Sequence, residues 1–169
     1  MPSQPAGRSL LLPAPCAVCR ITCTSRICAD CIERSAPHRL RCARCALTLP
    51  DRVERCAGCL RDEPPFTSAV AAFDYRFPWD ELIDDFKSHD ALDRADAIVE
   101  PMLAAIARAH TPAPEVVVPV PCSRERARER GYNPAWELAR RLARKLRLPA
   151  RAQGLRRIVH TPPQRGTTR

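Results

Sequence analysis

Apolar positions divide this chain into two unlike parts. Between Cys16 and Leu60 large apolar side chains are sparse and scattered. A stretch of that length with so little to bury cannot fold on a hydrophobic core alone; it needs disulfides or a metal. From residue 66 onward the pattern becomes that of regular structure. Residues 66–75 alternate loosely, with Val70, Phe73 and Tyr75 at β-favouring positions, and predict a strand. Pro78, Asp80 and Glu81 then open a short helix through Leu82, Ile83 and Phe86 toward Lys87. Leu92, Ala95, Val99, Met102 and Ile106 recur at helical spacing and predict a helix over 91–109, which Pro101 should kink or restart.

The run from Glu115 to Pro121, with three consecutive valines, has the character of a central parallel strand buried on both faces. Its ladder should end at Pro119 and Pro121, which have no N–H to donate. Arg124, Arg126, Arg128 and Arg130 then read as a basic loop ending in Gly131-Tyr132-Asn133. Asn133 suits an N-cap and Pro134 a first helical position. The following helix should bury Ala135, Leu138, Leu142 and Leu146, with Arg140, Arg141, Arg144 and Arg147 on its wet side. A strand feeding a basic loop, a glycine and a helix N-terminus suits phosphate or pyrophosphate; a solvated basic loop fits the same residues.

Charge sharpens this division. The net charge is +9, yet the basic excess lies in the last third, where residues 120–169 carry 14 basic and three acidic side chains. No stretch is long enough to span a bilayer, and Leu10, Leu11 and Leu12 are too short a run for a signal peptide. The expected location is therefore cytoplasmic, where clustered thiols bind metal more often than they pair.

Nine of the ten cysteines lie between Cys16 and Cys59, and eight of them form four C-x-x-C pairs: Cys16/Cys19, Cys28/Cys31, Cys42/Cys45 and Cys56/Cys59. Two intervening residues let a tight turn aim both sulfurs at one metal, and two such turns make a tetrahedral S₄ site. The pattern predicts two structural Zn²⁺ ions in closed sites with no catalytic role. Sequential pairing is favoured over a cross-braced arrangement; disulfides, thiol redox chemistry and iron–sulfur ligation are the competing readings. Arg20, Arg26, Arg34, Arg41, Arg44 and Arg55 are placed to offset thiolate charge. Cys23 is left as a spare thiol, Cys122 as a packing residue, and His38, His89, His110 and His160 as solvated residues.

Taken together these residues resemble the ComF family, which joins a cysteine zinc module to a type I phosphoribosyltransferase domain. The resemblance rests on the cysteine pairs, on 71–75 and 82–87, on Val118-Pro-Val-Pro121, on Arg130-Gly-Tyr-Asn133 and on Thr161-Pro-Pro-Gln-Arg-Gly166. It implies a small zinc-ribbon module followed by an incomplete α/β phosphoribosyltransferase-like domain with a parallel sheet. The expected division is a disordered lead-in over 1–15, a double zinc ribbon over 16–60, a linker over 61–65 and the partial domain over 66–169. It implies that Lys87, Arg130, Gly131, Tyr132 and Asn133 face a pyrophosphate or phosphate; Pro134 stands where the family has Gln. The family's Asp-Asp-x-x-Thr-Thr-Gly loop, which holds the ribose phosphate, has no counterpart in the sequence. The expectation is therefore a C-terminally truncated form with no catalytic residues assigned and no phosphoribosyl transfer. Mg²⁺ with phosphoribosyl pyrophosphate would belong only to a full-length form.

The family link is to DNA uptake and natural transformation, so the expected partners are single-stranded DNA, competence proteins and a phosphate-bearing ligand, with no membrane insertion. An alternative is a zinc-dependent nucleic-acid-binding module using the basic C-terminal third. A third reading is a zinc-held protein-interaction module.

Overall fold

The structure, a computed structural model, describes residues 13–50, 53–88, 94–109, 111, 112 and 114–158. Its elements are β1 (Ala14–Pro15), β2 (Thr22–Cys23), α1 (Ala29–Ser35), α2 (Ala57–Arg61), α3 (Trp79–Ser88), α4 (Ala95–Arg108), α5 (Arg124–Arg130) and α6 (Pro134–Leu146). β1 and β2 pair antiparallel, Ala14 opposite Cys23 and Pro15 opposite Thr22.

The cysteine half is one backbone plan used twice. In the first unit the Arg20 N–H donates to the Cys16 carbonyl at 3.0 Å and the Cys16 N–H to the Ile21 carbonyl at 2.8 Å. In the second, Ala46 donates to Cys42 at 2.9 Å and Cys42 to Leu47 at 2.8 Å. The residue after each turn's second cysteine is left-handed, Arg20 at φ 66° and Ala46 at φ 60°. Ala17 then donates to Arg26 at 2.9 Å and Ala43 to Glu54 at 2.8 Å, bringing the return chain alongside. Cys28 and Cys56 stand in extended conformation at the N-caps of α1 and α2.

The other half is helical. α4 packs on α6, tied by Lys145 to Glu100 at 2.7 Å and Arg141 to Asp96 at 3.7 Å. Phe86, Ala95 and Ile98 form its core, with Phe73, Ile83, Met102, Tyr132 and Leu138 around them. α3 bridges the halves: its first residue, Trp79, is fully buried among Cys16, Ile27, Cys31, Leu82 and Ala97.

The helices expected after residue 78 are present, with several corrections. Pro101 neither restarts nor ends α4, which runs through it. A proline there removes one intrahelical hydrogen bond, but buried Ile98, Val99 and Ala105 hold the helix to the core on both sides of it. Residues 66–75 form no strand, because no backbone ladder runs beside them. The Thr67 carbonyl instead accepts from Arg44 at 2.8 Å, and the same guanidinium reaches the Pro64 carbonyl just ahead of the segment at 3.0 Å.

The valine run makes a single parallel bridge, Val117 with Ala150, through Val117 N–H to Pro149 at 2.9 Å and Arg151 N–H to Val117 at 3.0 Å. Val120 is exposed, so the run is not buried on both faces. Gly154 lies over it: a Cβ there would come within 2.8 Å of a Val118 methyl. The only sheet among the described residues is the two-stranded one, and the expected parallel sheet goes no further than that bridge.

The arginine-rich loop is a helix, α5. The Ser123 hydroxyl caps it by accepting from the Arg126 N–H at 3.3 Å, and Gly131 closes it at φ 71°. Asn133 caps α6 as expected, its side-chain oxygen accepting from the Ala135 N–H at 3.0 Å. On α6 the buried set is Pro134, Glu137, Ala139, Leu142 and Ala143, while Ala135, Leu138 and Leu146 are half-buried. Arg141 is not on the wet side. It folds onto buried Glu137 together with Arg140, and Arg140's hydrogen bond, opposed by burial and joined by Arg141, holds the Glu137 carboxyl below its usual range.

Candidate metal centre

The four sulfurs of Cys16, Cys19, Cys28 and Cys31 lie within 4.8 Å of one another, and so do those of Cys42, Cys45, Cys56 and Cys59. The gathering is sequential, the arrangement favoured over a cross-braced one from the sequence. Local folding explains it. Each knuckle turn presents two sulfurs from one side, and each short helix presents one from its N-cap and one from its first turn. Backbone N–H groups point at the same sulfurs. Val18 and Cys28 each donate to Cys16 Sγ at 3.4 Å, Cys56 donates to Cys42 Sγ at 3.3 Å, and Cys59 donates to Cys56 Sγ at 3.4 Å.

These distances test the fit to zinc. A tetrahedral site with bonds of about 2.3 Å has sulfur–sulfur edges of about 3.8 Å. Cys19 and Cys28 are 3.7 Å apart, and so are Cys45 and Cys56. The donor set is sulfur alone, complete at four and closed to a fifth ligand, which suits structural zinc. The two sites can hold two zinc ions.

The thiols of each set differ sharply in acidity. Burial raises Cys16, but the N–H groups of Cys19, Cys28 and Val18 outweigh it and bring the thiol down to about 6. The N–H groups of Cys45 and Cys56 likewise bring Cys42 down to about 6 against the pull of burial. Burial and the neighbouring thiols push Cys31 and Cys59 up to about 12. Four thiolates so close together coexist at neutral pH only around a cation, so ion binding releases protons and acid releases the ion.

Arg34 approaches a ligand as the sequence suggested, its guanidinium donating to Cys31 Sγ at 3.6 Å. Arg41, Arg44 and Arg55 have other work: Arg41 holds Asp74 at 2.7 Å, while Arg44 and Arg55 lie 3.5 and 3.2 Å from Glu63. Cys23 stays outside both sets and donates to the Ser25 carbonyl at 2.8 Å. Cys122 is half-buried rather than buried. His38 is exposed and in neither set, and His89, His110, His160 and 161–166 lie outside the described residues.

The candidate phosphate residues come from two distant segments that meet. Tyr132 packs edge-on against Phe86, with ring centroids 6.1 Å apart, and its hydroxyl donates to the Phe86 carbonyl. Lys87 follows Phe86 in α3, its ammonium 6.0 Å from the Tyr75 ring. The left-handed turn at Gly131 needs a glycine, and the space beside it is open. Arg130 is half-buried at the end of α5. Asn133 spends its oxygen on the α6 cap.

Sequence reasoning overlooked Trp79 and Asp74, which attach the cysteine units to the helical half. Trp79 Nε1–H donates to the Ser35 carbonyl at 2.8 Å, and Asp74 accepts from Arg41 with Arg39 at 3.1 Å beside it. A tryptophan just ahead of the helical LIDDF pattern was the one available signal; nothing in the sequence marks Asp74.

Fold and site together define a zinc-ribbon-type module of two Cys₄ sites joined to a helical half. The chain is 32% identical over 146 residues to Competence protein F of Haemophilus influenzae, a match covering 83% of this chain and 62% of that protein. It is 26% identical over 162 residues to DNA utilization protein YhgH of Escherichia coli K12, covering 92% of this chain and 71% of the relative. The same-named protein of Salmonella typhi is 27% identical over 162 residues. The chain is a homologue of Competence protein F and of DNA utilization protein YhgH and spans less than two thirds of the former; this agrees with the competence side of the resemblance drawn from its motifs and does not bear on its phosphoribosyltransferase side. No family model and no solved structure matches it. No helix among the described residues is long and apolar enough to cross a membrane.

Proposed function

We propose that this chain works in the handling of DNA, as a protein whose cysteine half is shaped by two structural zinc ions. The ligands in this reading are Cys16, Cys19, Cys28 and Cys31 for one ion and Cys42, Cys45, Cys56 and Cys59 for the other. The observation that carries it is the pair of four-sulfur clusters, each gathered within 4.8 Å and each with one 3.7 Å sulfur–sulfur edge, supported by relatives named for competence and DNA utilization. Elemental analysis of the purified chain should give two zinc ions per molecule; a chain that keeps its far-ultraviolet spectrum after complete metal removal would sink the reading.

In the same proposal the turn Arg130-Gly131-Tyr132-Asn133 and Lys87 take a phosphate or pyrophosphate group, in keeping with the phosphoribosyltransferase-like reading of the sequence. Support comes from the meeting of Tyr132 with Phe86 and from the start of α6 beside the turn. Titration with inorganic pyrophosphate should shift the Tyr132 and Gly131 resonances, and Arg130→Ala should weaken binding about tenfold. Unchanged resonances at millimolar pyrophosphate would remove this part.

A second reading, nucleic-acid binding by the basic third, is favoured by the exposure of Arg128, Arg144, Arg147, Arg151 and Arg156. Single-stranded DNA titrated at 50 and 200 mM salt should bind with a steep salt dependence. No binding at the lower concentration would reject it.

A further inference from the structure

We propose that the first cysteine site governs the turn at Gly131–Asn133, with α3 as the connecting rod. Cys31 lies in the first turns of α1, and Ser35 ends that helix. The Ser35 carbonyl accepts from Trp79 Nε1–H at 2.8 Å. Trp79 is fully buried and stacks on Phe73, with centroids 4.2 Å apart and planes 9° from parallel. Two turns along α3, on the same face, Phe86 meets Tyr132 by an edge-on ring contact and by the hydrogen bond from the Tyr132 hydroxyl. Tyr132 sits between the left-handed Gly131 and the N-cap Asn133. A span of α3 about 10 Å long therefore has the first cysteine site at one end and the turn at the other.

Loss of an ion from that site acts on the rod directly. α1 has seven residues, too few to stay helical without the sulfur anchor. When it unravels, Trp79 loses its acceptor along with Cys16 and Cys31, which line its pocket. Among the described residues the second site's cluster does not include Trp79: it is Cys42, Leu49 and Cys59 with Cys45 and Cys56 beside them, and its attachment is the ion pair of Arg41 with Asp74. Zinc loss at the first site thus reaches the turn, and zinc loss at the second does not. The regulatory meaning of this coupling rests on the phosphate reading above; the coupling itself does not.

Native-state amide hydrogen exchange on the full zinc-loaded chain tests it. The amides of Ala135 and Glu137, which bond to the Asn133 side chain and carbonyl, report on the turn, and those of Leu142 and Ala143 report on whether α6 stays folded. Cys31→Ser should speed exchange at Ala135 and Glu137 at least tenfold with Leu142 and Ala143 unchanged; Cys59→Ser should leave all four within twofold. If Cys31→Ser melts α6 as well, Trp79→Phe with both zinc ions retained decides. It keeps the stacking and removes the donor, and a threefold or greater acceleration at Ala135 and Glu137 is expected. Unchanged exchange in Trp79→Phe, or equal effects of the two cysteine variants, overturns the proposal. Pyrophosphate titration of the same samples is a separate readout. Coupling without pyrophosphate binding would discard the phosphate reading and leave the rod standing.

Discussion

Cys16, Cys19, Cys28 and Cys31 sit in a core with Ile27, Trp79, Leu82 and Ala97, whereas Cys42, Cys45, Cys56 and Cys59 cluster with the smaller set of Leu49 and the nearby buried Ala46. The backbones around the two sets are nearly interchangeable, from the knuckle hydrogen bonds to the left-handed residues Arg20 and Ala46. Attachment differs in kind. The first unit docks on the helical half through an apolar ring and one partly buried hydrogen bond. The second docks through charge, with Arg41 and Arg39 on Asp74 and Arg44 on the carbonyls of Pro64 and Thr67. Identical metal chemistry can therefore shape one unit locally and carry the architecture in the other.

Removing one ion from each unit gives the largest expected contrast. Structural zinc contributes on the order of 10 kcal/mol to the folding of small sulfur-ligated units. Cys16→Ser and Cys42→Ser should each lower the zinc content from two to one. In a Trp136→Phe background, only Cys16→Ser should shift Trp79 emission to the red, because Trp79 shares a core with the first set alone. A red shift from both variants would erase the distinction.

Truncating the apolar contacts comes next. Trp79→Ala should cost about 4 kcal/mol and Leu49→Ala about 2 kcal/mol in denaturant unfolding, following the usual scale for buried aromatic and leucine truncations. The sharper readout is location. Trp79→Ala should deprotect amides in α3, and Leu49→Ala only those of the second unit.

The third contrast is electrostatic. Arg41's hydrogen bond, opposed by partial burial and helped by Arg39, keeps the Asp74 carboxyl below its ordinary value of 3.8. A lowered carboxylate contributes stability that is present above its ordinary value and lost as pH falls through the folded one. Acid that strong also strips thiolate-bound metal, so the clean comparison is Asp74→Asn at pH 7. It should cost about 1 kcal/mol in low salt and less in 0.5 M salt. Opening of the first unit should show no such salt dependence.

How much of this the sequence displayed depends on where each interaction is encoded. The four C-x-x-C pairs and their sequential grouping were readable because both sulfurs of a pair come from one local turn. α3, α4 and α6 were readable because their apolar faces repeat at helical spacing. Residues 66–75 misled because alternation describes a surface that fits a sheet and does not supply a partner strand. α5 was missed for the opposite reason: Arg-Glu-Arg-Ala-Arg-Glu-Arg has no apolar stripe to detect. Its cap residues, Ser123 and Gly131, were the usable signals. The docking of Trp79 on Ser35 joins positions 44 residues apart, and no local pattern encodes such a contact.

The smallest effect tests the shared part of the comparison. Arg20 and Ala46 hold left-handed backbone without being glycine, a conformation that costs an ordinary residue about 1–2 kcal/mol. Glycine relieves that strain but loses more freedom on folding, so Arg20→Gly and Ala46→Gly should each gain about 0.5 kcal/mol. Arg20 is exposed and Ala46 buried, so a gain set by surroundings would differ between them, while one set by the knuckle backbone would not. Zinc competition against a chromophoric chelator, read separately in Cys42→Ser and Cys16→Ser backgrounds, measures each unit alone. Equal gains would place the likeness of the two units in the turn itself; a gain at Arg20 alone would show that the buried methyl of Ala46 matters to the second unit more than its backbone strain.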